Sequence, residues 1–180
     1  INPRNLEGER LLLYYAPRIL QAELETPTNY DPNYDRIGRL ELKRKGRIWK
    51  TVVNTEAPEV YSKLRTIYIA GKPYTQLLYE FYFPHHPKMF KGDLEAGPLD
   101  GRGLFILLNE DNRPILWETA MTCGCFHQLY VANWVEKIAK ENATHKKPFD
   151  GLHFTSGYGE FAPEIFGALD TAPSFTLWMD

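Results

Sequence analysis

Cysteine is scarce in this chain: of 180 residues only Cys123 and Cys125 carry a thiol, and they stand two apart in one segment. No second Cys pair exists to complete a zinc finger or ribbon. The spacing of the pair to His127 is not the haem-attachment pattern Cys-x-x-Cys-His. Net charge is also small, with 21 Lys and Arg against 23 Asp and Glu giving −2. That balance argues against nucleic acid as a partner, because phosphate binding calls for a basic patch. No apolar run approaches the roughly 18–20 residues of a membrane span. The Gly-x-Ser-x-Gly nucleophile elbow is missing too, so Asp150, His153 and Ser156 make a poor hydrolase triad.

What is present is an ordinary globular composition, 43% apolar and 24% charged, rich in Tyr, Phe and Trp. Aromatic abundance favours β-structure. The length suits a single β-rich domain, residues 1–180, with an irregular tail over about 160–180. The chain begins at Ile1 and not at Met, as a processed or truncated chain would. Together with the sequon Asn142-Ala143-Thr144, this points to an exported protein, periplasmic or secreted.

Along the chain, Leu11–Tyr15 is a short, Pro-bounded apolar run that reads as a buried strand, and Gln21–Glu25 as helical. Residues 26–38 form a loop of turn formers whose Asp31, Asn33 and Asp35 fit an ordered turn better than a calcium loop. Three hairpins follow: residues 38–43 with 47–53, residues 64–70 with 74–83, and residues 104–108 with 114–122. Between the second and third lies a glycine-rich loop, 91–103, with Asp93, Glu95 and Asp100. One main helix is expected near 133–144, with Asn133 as N-cap and Trp134, Val135 and Ile138 facing the core. A short strand covers 151–155. The fold class is thus mostly β (α+β), an antiparallel sheet or sandwich of β-hairpins with one main helix.

The chemistry-bearing segment is Arg113–Tyr130. If it is extended, Trp117, Met121, Cys123, Cys125 and His127 share one face and Glu118 lies on the other. Thiolate, imidazole and thioether favour zinc or copper. In a straight strand Cys123 and His127 have Cα atoms about 13 Å apart, whereas two donors on one zinc are at most about 4.6 Å apart. A bend at Gly124 is needed to bring Cys123, Cys125 and His127 together. The same bend allows a Cys123–Cys125 disulfide, and two buried small hydrophobes are a third possibility.

His85 and His86 follow the strongest strand, and strand ends are where functional side chains concentrate. Adjacent histidines point in different directions, so at most one joins a given site; it would serve as a ligand or as a general acid/base. His153 is a distant candidate for a fourth ligand. Met121, His85, Asp93 and Asp100 are accessory candidates.

Phe83-Pro84-His85-His86-Pro87-Lys88, taken with Cys123-Gly124-Cys125-Phe126-His127, resembles motifs in a family of uncharacterised bacterial proteins. The resemblance covers roughly the central third of the chain. It implies that the two segments belong together.

The leading expectation is a zinc- or copper-binding protein whose ion is structural or hydrolytic, the metal held by Cys123, Cys125 and His127 with His86 or His153. In the hydrolytic case Glu118 or an acidic-loop carboxylate is the base. The alternative is a non-enzymatic subunit that binds a protein partner or a second copy of itself, its cysteines serving as disulfide or core.

Overall fold

The computed structural model describes residues 2–21, 31–88, 91–94, 96–123, 127–132, 134, 135, 138, 141, 164–166 and 176–179. Most described residues lie in strands arranged as three sheets, and the fold is β-rich α+β, as the sequence leads one to expect. The largest sheet is an antiparallel meander of five strands: β4 (Tyr61–Ile69), β5 (Lys72–Phe83), β6 (Asp100–Leu108), β7 (Pro114–Met121) and β8 (Gln128–Val131). Strands β2 (Arg39–Lys45) and β3 (Ile48–Asn54) form a separate hairpin. All three expected hairpins are present. The β4–β5 turn is Ala70-Gly71, both with positive φ, which matches the right-handed twist of the paired strands.

Three local expectations fail. Leu11–Tyr15 is not a strand: helix α1 spans Gly8–Tyr14, and β1 (Arg18–Gln21) comes after Pro17. Leu11 and Tyr15, four apart, are buried, whereas Leu13 is 76% exposed. A strand would have put all three on one face; a helix separates Leu13 from the other two. The tail is not all coil either. Its β10 (Thr176–Met179) pairs antiparallel with β9 (Glu164–Phe166) and parallel with β1. The glycine-rich loop also ends earlier than expected, since Asp100 to Gly103 open β6.

Of the expected second helix, Trp134, Val135, Ile138 and Glu141 are helical. Trp134 and Val135 pack on the core, but Ile138 is 50% exposed and does not face it. Residues 22–25, the sequon and the strand expected at 151–155 lie outside the described residues. No helix among the described residues is long and apolar enough to cross a membrane.

The core lies on one face of the five-stranded sheet, where Leu77, Tyr79, Leu104, Ile106, Leu108 and Trp117 are buried under Leu11 of α1 and Tyr15 at its C-cap. Two phenols bind this helix and its neighbours to the sheet: Tyr79 donates to the Leu12 carbonyl and Tyr15 to that of Asn112, both at 2.7 Å. Asn112 in turn donates to the carbonyls of Pro3 and Leu6, and Trp134 Nε1 donates to that of Pro114. The β6–β7 turn end of the sheet is therefore locked to the N-terminal segment and to the helical residues after β8.

Burial pushes both phenols well above their ordinary pKa of 10.0. Because the folded values lie above the unfolded ones, this stability is fully present below about pH 10 and is lost as pH rises beyond it. Denaturant melts should show stability falling from about pH 10 upward. Tyr79→Phe should cost about 1–2 kcal/mol at neutral pH by losing a buried hydrogen bond, and should flatten the alkaline loss. At the opposite edge, Gly38 donates to the Tyr82 carbonyl, and a Cβ there would lie 2.4 Å from the Asn54 carbonyl oxygen. Gly38→Ala should therefore destabilise by about 1–3 kcal/mol in the same melts, because the obstacle is backbone.

Candidate functional site

In an antiparallel meander, the end of β5, the start of β6, the end of β7 and the start of β8 all fall on one edge. The candidate residues of both motif segments lie on these ends. His86 follows β5 and Asp100 opens β6; Thr122 and Cys123 form the turn after β7, and His127 precedes β8. A hydrogen bond from Thr122 N to the Gly101 carbonyl, 2.9 Å, joins the two connections. Gly101 is required at this crossing, since a Cβ would come within 2.7 Å of both Thr122 and Tyr82.

The first connection is pinned by its backbone. His86 N donates to the Gly97 carbonyl at 2.8 Å and Gly97 N returns the bond at 3.1 Å. This two-bond bridge ties the residues after β5 to those before β6. His86 Nδ1 then lies 2.9 Å from Asp100 Oδ2, while Asp100 Oδ1 accepts from Gly101 N at 2.7 Å. On the other side of the ring, Nε2 faces Asp93 Oδ2 at 4.0 Å. The Asp93 side chain is only 5% exposed and that of His86 only 13%. His85 turns the other way and stacks on Tyr34, ring centroids 4.4 Å apart. Three residues scattered over a loop in the sequence thus form one Asp–His–Asp group.

The second connection departs from the extended geometry expected for residues 117–127. The chain turns at Thr122 and Cys123, and β8 returns beside β7 with Thr119 opposite Gln128 and Glu118 opposite Leu129. Trp117 and Met121 stay on the core face, both buried. His127 falls on the other face, with Glu118, whose Oε1 lies 2.6 Å from its Nε2. Glu118 is therefore the partner of His127 and not its opposite-face neighbour, and Met121 does not share a face with His127. The register decides this: with Thr119 opposite Gln128, odd-numbered residues of β8 and the position before it share a face with even-numbered residues of β7. Cys123 is exposed. Cys125, His153 and Glu95 lie outside the described residues, so they are not placed in the site.

An ionised carboxylate only accepts hydrogen bonds. Asp100 therefore selects the Nδ1–H tautomer of His86, and Glu118 the Nε2–H tautomer of His127, when each ring is neutral. Each opposite nitrogen then presents a lone pair. Nearby on the core face, burial lowers the affinity of the Arg102 guanidinium for its proton, and Asp100 and Tyr130 offset that effect. Among the described residues, no three His, Cys, Asp or Glu side chains are grouped as a metal-holding set.

Long-range proton–nitrogen spectra of the imidazoles should show His86 as the Nδ1–H form and His127 as the Nε2–H form at a pH where both are neutral. Asp100→Asn should disturb the His86 pattern alone and Glu118→Gln that of His127 alone. Mixed tautomers in the unmodified protein would contradict the assigned pairings.

No protein-family model, curated protein or solved structure matches this chain.

Proposed function

We propose that this chain binds zinc at the loop edge of the five-stranded sheet, through Cys123, Cys125 and His127 together with His86 or His153. One observation carries this: two imidazoles at that edge each have one ring nitrogen engaged by a carboxylate. Metal-ligating histidines are oriented in this way, the outer carboxylate fixing the tautomer and raising the basicity of the ligating nitrogen. The donors suit zinc, with an imidazole on the first connection and thiols and an imidazole on the second. Copper gains less support, because Met121 is buried on the core face.

Bound zinc would supply a Lewis acid and a water of lowered pKa if a coordination position stays open. The contribution of the chain to hydrolysis is then Asp93, a buried carboxylate facing the imidazole and able to accept a proton. Glu118 and Asp100 act instead as positioning residues, each holding its histidine. The alternative, a non-enzymatic interaction subunit, draws on exposed apolar side chains such as Tyr68 and Ile69 at the end of β4.

Elemental analysis of the purified native protein tests the proposal. About one zinc per chain is expected, lost in Cys125→Ser, with Asp100→Asn or Glu118→Gln weakening affinity by roughly 10–100-fold. A metal-free protein with no titratable thiols when denatured would mean a disulfide, and the zinc proposal would fail.

A further inference from the structure

The β2–β3 hairpin is unlike the rest of the surface. All ten residues from Leu42 to Thr51 are exposed, so both faces of the hairpin stand in solvent. An isolated two-stranded hairpin is marginally stable at best, and this one presents three large apolar side chains: Leu42 at 68%, Ile48 at 63% and Trp49 at 62% exposure. Five cations crowd the same tip, namely Lys43, Arg44, Lys45, Arg47 and Lys50, with no acid among residues 42–51. Only Lys43 has a carboxylate nearby among the described residues, Glu41 at 3.8 Å. Set against the net charge of −2, the residues outside this tip carry −7.

The register decides what kind of partner fits. Leu42 and Trp49 share a face with Arg44, whereas Ile48 shares the other with Lys43, Lys45 and Lys50. Apolar and cationic groups therefore occur on both faces. A flat protein surface would cover only one of them. A stacking surface for nucleic acid would use Trp49 and the cations but would leave Leu42 and Ile48 without a role. A lipid interface surrounds an inserted tip on all sides: it takes aliphatic groups at the acyl boundary, Trp at the headgroup level, and Lys and Arg reaching to anionic headgroups. We propose that the β2–β3 hairpin is an arm that docks the protein on an anionic phospholipid surface. The negative remainder of the chain is repelled by that surface, so the protein binds tip first.

Co-sedimentation of the full chain with vesicles tests this, comparing pure phosphatidylcholine with mixtures holding about 30% phosphatidylserine. Binding should be at least tenfold tighter to the anionic vesicles and should weaken at high salt. Arg44→Glu combined with Arg47→Glu should lower it at least tenfold, and Trp49→Ala should lower it severalfold. These positions are exposed, so the variants should keep the melting profile of the parent chain. No sedimentation with anionic vesicles, or binding indifferent to these substitutions, overturns the proposal. Tighter binding to a single-stranded oligonucleotide that displaces the vesicles overturns it in favour of nucleic acid.

Discussion

Strand β6 is the constraint on which the rest of the sheet depends. It is paired along its length, with β5 on one side and β7 on the other, and Leu104, Ile106 and Leu108 are fully buried on its core face. With both edges hydrogen-bonded and one face buried, its register cannot slip by one residue without turning that apolar row outward. Fixing β6 fixes which ends of β5, β7 and β8 lie together, and hence which loops meet. The two glycines near its start, Gly101 and Gly103, have Tyr82 and Phe105 lying over them. Strand pairing is thereby kept close at the position where the two connections cross.

The two ends of this sheet are specialised in opposite ways. At the β6–β7 turn, Asn112 and Pro114 receive and make hydrogen bonds to the N-terminal segment and the residues after β8, consolidating the packing. At the other end, the hydrogen bonds run between titratable side chains: His86 with Asp100, and His127 with Glu118. Rigid strands deliver these groups, and short backbone links such as the His86–Gly97 bridge hold the intervening loops. The β2–β3 arm adds a third region, anchored to β5 through Gly38 and to β4 through the Leu40 N–Tyr61 hydroxyl hydrogen bond, with residues 42–51 exposed beyond.

Several features were legible in the sequence because they are local. Alternating apolar residues and turn residues such as Gly46 and Gly71 specify hairpins within a dozen or so positions. The concentration of thiols and imidazoles in two segments marked the chemistry-bearing connections before any geometry was known. Orientation was less legible. The assumption of one extended strand from Trp117 to His127 put Glu118 on the wrong side of His127, because the register after the turn, Thr119 opposite Gln128, pairs odd positions of β8 with even positions of β7.

Sequence by itself determined the hairpins, the β-rich class and the segments in which thiols and imidazoles concentrate, since each depends on neighbours along the chain. Tertiary structure alone decided that Leu11–Tyr14 is helical, because a short apolar run is compatible with either period until its burial partners are known. It also decided the pairing of β1 with β10, from opposite ends of the chain. Most importantly, it decided that Asp100 and Glu118 hold the two histidines. Such contacts arise from the registers of four strands acting together, which no local pattern encodes.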